Sequence, residues 1–314
     1  ENLHYWAHDE YYETPAFKAA FDALPPDARR RLDEPYTTHM ASRAAFMKST
    51  NLVASLKLLY RVSRNHLYWR VTGHPKGRGY FWSSQMASVL RRWWGVRALD
   101  RMASTKLADL EGERYVYYPL HLEPEAALHW ISPEYFFQLS TIAALSRDLP
   151  AGVLLVVKEA FSNIGRRPAN FYQQIADMKN VVLLETMEIG FNVVRQAEAV
   201  ATICGTTGLE AAAMGKPVIT FGKHNNYNIL PHVQVVTELD KLASYLSDAL
   251  SGKLDADAAK ADTERLLQAI VECSFDMRQY DYVNIQDFAP ESVEDGVRAL
   301  AESVQGGAQL SVAS

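Results

Sequence analysis

The stretch Val200-Ala201-Thr202-Ile203-Cys204-Gly205-Thr206-Thr207-Gly208-Leu209-Glu210-Ala211-Ala212-Ala213-Met214-Gly215-Lys216-Pro217-Val218-Ile219-Thr220-Phe221 decides the fold. Two short apolar runs, 200–203 and 218–221, flank a helix-forming segment at 209–214, with glycine at both joints. Runs this short and this apolar read as strands covered on both faces, the habit of parallel sheets. Parallel neighbours need a crossover, and the segment between them supplies it as a helix.

The same alternation extends in both directions. Upstream lie the runs 115–118, 153–157 and 181–184, separated by helical patterns at 133–147, 169–178 and 189–196; downstream, 233–236 adds a last strand. Strands alternating with helices imply right-handed βαβ units and a Rossmann-like α/β domain over 111–290. Within that domain and beyond it, helical patterns recur at 239–250, 258–273 and 293–304, so 291–314 reads as a C-terminal helix and tail. Residues 1–110 read as a mainly helical region, with helices at 15–24, 41–62 and 83–102. Three glycines and a proline make 72–79 a loop.

A chain of 314 residues suits two domains or one large one, since a domain averages about 150. Hydrophobic residues at 48% and charged residues at 22% exclude a disordered chain. A net charge of -5, from 32 basic and 37 acidic residues, argues against a nucleic-acid binder. Cys204 and Cys273 form no CxxC pair, so neither a disulfide framework nor a metal site is expected, and a reducing cytosol fits. No apolar run reaches the roughly 18 residues needed to span a bilayer. The chain opens on Glu1, without a signal-peptide layout, and is expected to be a trimmed piece of a longer one.

Ligands of open α/β sheets bind outside the carboxyl ends of the strands. After 203, the glycines allow a tight turn, Thr206 and Thr207 offer hydroxyls, and the helix beginning there points free N–H groups at an anion. The alternative is an ordinary N-cap and turn. After 157 come Lys158, Glu159, Ala160 and, further on, Arg166 and Arg167, a set able to grip a phosphate or sugar acid, or else plain surface charge. After 118 come His121, Glu123 and Glu125, candidates for acid, base or nucleophile, with Glu125 preferred because Pro124 fixes the backbone before it. The polar run 222–227 either lines the same cleft or is solvated loop.

In order, Tyr117-Tyr118-Pro119-Leu120-His121 with Glu123-Pro124-Glu125, Leu155-Val156-Val157-Lys158-Glu159, Gly205-Thr206-Thr207-Gly208-Leu209-Glu210-Ala211 and Gly215-Lys216-Pro217-Val218-Ile219 resemble the bacterial capsular and surface polysaccharide biosynthesis glycosyltransferases, including the retaining β-Kdo transferases that use CMP-Kdo. The resemblance runs over roughly 114–230. It implies a GT-B-like architecture of two facing Rossmann-like domains, with 111–290 holding the donor nucleotide and 1–110 as an acceptor-side region; since 1–110 shows few parallel-strand runs, part of that domain is expected to be absent or divergent. Gly205, Thr206, Gly208 and Glu210 match the Gly-Thr-x-Gly-x-Glu pattern and are implied to lie near the donor, with Thr207 beside them. Lys158 and Glu159 begin a Lys-Glu-His-Pro pattern from which the chain departs: Ala160 and Phe161 stand where His and Pro are expected. Ala160 is either natural divergence or a His→Ala change.

The implied activity is transfer of Kdo or a related sugar acid from a CMP donor to a capsule or lipopolysaccharide-type glycan, at the cytoplasmic face of the inner membrane. Lys158, Arg166 and the helix start near Thr206 would balance the leaving phosphate without a metal or other cofactor. Retention through a covalent intermediate needs a carboxylate nucleophile, for which Glu125 and Glu159 are the candidates, with an acid of the first 110 residues such as Asp9 in reserve. Two other readings stay open: a UDP-sugar GT-B transferase or epimerase, and a non-catalytic nucleotide- or glycan-binding module, which Ala160 favours. Arg91-Arg92-Trp93-Trp94 is either a peripheral membrane contact or packing between helices and sheet. His74-Pro75 is a weak echo of a His-Pro motif.

Overall fold

The computed structural model describes residues 51–73, 81–123, 128–129, 132–160, 163–168, 170–272 and 301. The chain divides into two compact units, Tyr36–Thr263 and the pair of segments Glu1–Pro35 with Glu264–Ser314. The description below concerns the first. The expected helices at 15–24 and 293–304, together with Asp9, His74-Pro75, Glu125, Phe161 and Cys273, fall outside the described residues, save for residue 301 alone.

Two helices lead, α1 (Leu52–Thr72) and α2 (Trp82–Met102). Asn51 caps α1 through its side chain, which accepts from the Ala54 N–H at 2.7 Å. Gly73 ends it in the left-handed conformation, φ 67°, that a residue without Cβ adopts freely. That end lies beyond the expected boundary at 62, because the mixed polar run after Val62 hides the helical period without breaking the helix.

The sheet follows: β1 (Tyr115–Pro119), α3 (Gln138–Asp148), β2 (Leu154–Lys158), α4 (Phe171–Ala176), β3 (Val181–Leu183), α5 (Gly190–Gln196), β4 (Ala199–Thr202), α6 (Thr206–Ala213), β5 (Val218–Thr220) and β6 (Val233–Val235), then α7 (Leu242–Ala249) and α8 (Ala256–Glu272). All pairings are parallel, in the order β3-β2-β1-β4-β5-β6. Every expected strand is present within a residue or two. The expected helix at 133–147 is instead a 3-10 turn over Pro133–Tyr135 followed by α3, because Phe137 (φ -86°, ψ 85°) leaves helical geometry between them.

Side chains alternate across the sheet as strand geometry requires. Val116 and Tyr118 of β1 join the core with α2, α3, α4 and α7, while Tyr115 faces α5 and donates its hydroxyl to the Val193 carbonyl at 3.0 Å. Helices therefore cover both faces, and the strands are buried nearly throughout. The order reverses between β1 and β4: from β1 the chain winds outward to β3, then returns to start β4 on the other side. In open α/β sheets such a reversal, at the carboxyl ends of the two strands, is where ligands bind.

Main chains also meet directly. A Cβ on Gly95 of α2 would stand 2.7 Å from the Gly165 Cα, and one on Gly165 would stand 2.3 Å from the Arg92 Cα. The turn that follows β2 thus lies against α2 with no side chain between. Gly165 also has φ 82°, so the turn needs glycine twice over.

Candidate functional site

His121, just past β1, and Thr202 to Gly205, at the end of β4, meet at the reversal point. His121 Nε2 accepts from the Cys204 N–H at 3.1 Å and lies 3.2 Å from Thr202 Oγ1. A ring nitrogen that accepts carries no proton, so Nδ1 holds it, buried and with no hydrogen-bond partner among the described residues. Burial drives the His121 pKa down to about 4; the contact with Gln138 opposes this and the Arg167 charge adds to it. The imidazole is neutral at physiological pH. Its role is to hold the loop that opens α6 against the end of β1.

α6 starts at Thr206 with Gly205 as its N-cap. The Thr206 residue is exposed, its hydroxyl 3.4 Å from Glu210 Oε1, while Thr207 is half-buried. Glycine at 205 is a matter of space, since a Cβ there would come within 3.2 Å of both His121 Nε2 and Thr202 Oγ1. Glycine at 208 is too, but for a different neighbour: a Cβ would meet the Tyr227 ring and hydroxyl at 2.6–2.8 Å. Tyr227 donates to the Gly205 carbonyl at 3.0 Å, and Asn225 donates to the Ile203 carbonyl at 3.0 Å and to Thr220 Oγ1 at 2.8 Å. The polar run 222–227 thus clamps the loop from β4 to α6 from beneath.

A second cluster sits at the end of β2. Glu159 and Arg167 are each 1% exposed at the side chain and pair at 2.7 Å. Both Glu159 oxygens are committed: one accepts from the Ala160 N–H at 2.9 Å and Arg167 at 3.1 Å, the other from Arg167 Nε and, at 2.9 Å, from the Tyr172 hydroxyl. Arg167 also donates to the His121 carbonyl at 2.6 Å and stacks on Phe171 with 4.7 Å to the ring centroid. It reaches Glu123 Oε1 at 2.8 Å, a contact of charges off the line of an aligned hydrogen bond. Burial works to lower the Arg167 pKa, yet the hydrogen bonds and charge of Glu159, then Glu123 and Tyr172, outweigh it and hold the pKa above the ordinary value. Gln138 of α3 locks the other side, accepting from the His121 N–H at 2.8 Å and donating to its carbonyl at 3.1 Å and to Glu123 Oε1.

The structure brings the first and second clusters together through His121, whose ring touches the β4 loop and whose carbonyl receives Arg167. It does not give every expected residue the expected exposure. Glu159 is enclosed by its partners, an arrangement that orients Arg167 and leaves its carboxylate no face toward a sugar. Lys158 is buried, its Nζ 3.3 Å from the Glu159 carbonyl. Arg166 points to solvent and its neighbour Arg167 fills the site. Ala160 is half-buried at the strand end, and Glu210 is buried. Arg167, expected with Arg166 as a candidate grip on an anion, instead holds Glu159; Gln138 and Tyr172 were not candidates on sequence grounds. No local pattern marked those two. Of the four residues 91–94, Trp93 is half-buried under Arg97, 3.7 Å from its ring centroid, and Trp94 is 63% exposed.

Among solved structures, nine chains match, and three are of interest. The Thermosulfurimonas dismutans KpsC β-Kdo 2,4 transferase aligns at 15% identity and TM-score 0.30, over 62% of this chain and 55% of that one. The β-Kdo 2,7 transferase of the same protein aligns at 15% and 0.33, over 56% and 60%. A trehalose-6-phosphate synthase studied with bisubstrate glycomimetics aligns at 11% and 0.37, over 57% and 48%. The chain thus spans about half the length of these structures. No curated protein matches it. The model of the capsule polysaccharide biosynthesis protein family matches residues 67–230, more than half of the sequence, and the chain belongs to that family.

Proposed function

We propose that this chain is a glycosyltransferase component that moves Kdo or a related sugar acid from a CMP donor to a capsule or lipopolysaccharide-type glycan, with retention, as one side of a GT-B-like pair of domains. The observation that carries the reading is the opening of α6, with the exposed Thr206, at the carboxyl end of β4 beside β1, in a member of a capsule-synthesis family. N–H groups at a helix start favour negative charge, so the donor phosphate is assigned to Gly205, Thr206 and Thr207. No metal or further cofactor is needed in this reading, because the main-chain dipoles face the leaving phosphate directly. In this reading Arg166 and Lys158 remain candidates to add positive charge toward the donor, Gly208 and Glu210 shape the helix that carries the phosphate site, and Glu159 positions Arg167. Glu123, partly exposed within the cluster, joins Glu125 as a candidate to face the sugar. The reaction belongs at the cytoplasmic face of the inner membrane, where a nucleotide-sugar donor and a membrane-linked acceptor meet.

The test is ligand-induced stabilisation. CMP at a hundredfold excess over its Kd would stabilise the protein by about 2.7 kcal/mol, which at about 2–4 °C per kcal/mol raises Tm by roughly 5–11 °C. Protection by UDP with CMP inert would transfer the reading to a UDP-sugar transferase or epimerase. Ala160 supports a second reading, a nucleotide- or glycan-binding module without turnover. Ala160→His with release of CMP from a CMP-sugar as the readout separates them: turnover appearing in the variant supports the enzyme, and binding without turnover in both forms supports the module.

A further inference from the structure

α1 carries two apolar faces. One, with Ser55 buried and Leu58, Val62 and His66 half-buried, packs toward α2, where His66 and Trp82 lie with ring centroids 5.7 Å apart. On the opposite side Leu52, Leu56, Tyr60, Leu67 and Val71 are 53–77% exposed. Their spacing of four and seven residues sets them on one stripe. In a helix of 21 residues that stripe is about 31 Å long. One polar turn, Ser63 and Arg64, interrupts it between Tyr60 and Leu67, and exposed apolar surface of this extent marks an interaction face.

The charge beside the stripe is one-sided. α1 has no Asp or Glu and four exposed cations, Lys57, Arg61, Arg64 and Arg70. α2 adds four arginines against the single Asp100, so the two helices hold eight cations and one acid in a chain whose net charge is -5. No described helix is long and apolar enough to cross a membrane. An apolar stripe bordered by cations, with tyrosines at its margin, suits a helix lying in the headgroup plane of an anionic bilayer. A second copy of this chain would set cation against cation, and the charge therefore selects the lipid.

From this juxtaposition we infer that the outer face of α1 docks on an anionic membrane surface, its leucines entering the acyl boundary and its lysine and arginines meeting lipid phosphates. The inference does not rest on the sugar-nucleotide reading.

The experiment is co-sedimentation of the full chain with vesicles of phosphatidylcholine alone, or mixed with an equal part of phosphatidylglycerol. Binding to the anionic vesicles only is expected. Lys57→Gln with Arg64→Gln should weaken it about thirtyfold, at the usual contribution of a cation near a charged surface. Leu56→Ser with Leu67→Ser should abolish it while leaving Tm unchanged. Three results would overturn the proposal: no sedimentation with anionic vesicles, equal binding by wild type and the leucine variant, or a fall in Tm of several degrees on the leucine changes. The last would mean that the stripe is packed inside the folded chain. Loss of a dimer in the leucine variant, without lipid binding in the wild type, would assign the face to a second copy instead.

Discussion

Replacing Arg167 by Met tests the cluster at the end of β2 most directly. Methionine keeps the contact with the Phe171 ring and removes the guanidinium, leaving Glu159 enclosed with only the Tyr172 hydroxyl and the Ala160 N–H. Removing one partner of a buried pair typically costs about 3–5 kcal/mol, because the remaining charge has lost both water and its counter-ion. For a folded unit of this size about 2–4 °C is lost per kcal/mol, so Tm should fall by roughly 6–20 °C. Glu159→Gln should cost less, since Arg167 keeps Glu123 and the His121 carbonyl. The double variant removes both charges, and its loss should be smaller than the sum of the two single losses by about 1–3 kcal/mol. Thermal unfolding of the four proteins followed by circular dichroism completes the cycle. A fall of less than two degrees for Arg167→Met, or strict additivity in the double variant, would refute the claim that this pair is the structural anchor of the site.

Two further outcomes follow from the geometry. His121 has its folded pKa depressed to about 4, below an unfolded value near 6.5, so the unfolded chain binds more protons between these values. Its contribution is complete above pH 6.5 and is lost as pH falls toward 4, by about 3 kcal/mol. His121→Gln, which can still accept from the Cys204 N–H, should flatten the fall of Tm between pH 7 and 4.5, and an identical fall in both proteins would contradict the assignment. Gly208→Ala drives a Cβ into the Tyr227 ring and should cost about 1–3 kcal/mol. Adding Tyr227→Leu removes the colliding atoms, so the pair should lose less than the sum in urea unfolding; full additivity would mean that the two do not touch.

The sheet was legible because burial on both faces leaves an unmistakable mark: runs such as 153–157 contain nothing that tolerates water. The start of α6 was legible as well, since it lies at the carboxyl end of β4 where the Gly205 to Thr207 stretch put it. What could not be read was which side chain of an adjacent pair turns inward. Arg166 and Arg167 differ by one position, and the choice is made by Glu159, Glu123 and the His121 carbonyl, which converge on the second from the two segments that follow β1 and β2. Gln138 stands seventeen residues from His121 and binds both its N–H and its carbonyl. No local pattern announces such a bond. Gly208 taught the opposite lesson: a glycine inside a phosphate-site motif is required here by a tyrosine nineteen residues later.

The meeting of Gly95 with Gly165 has a mechanical consequence. Where side chains separate two segments, rotamers can absorb a shift, but here backbone bears on backbone and there is nothing soft to yield. A tilt of α2 must therefore drag the neighbouring turn, and with it the guanidinium that grips the carbonyl of His121, so that this helix and the end of β1 are geared to move as one lever.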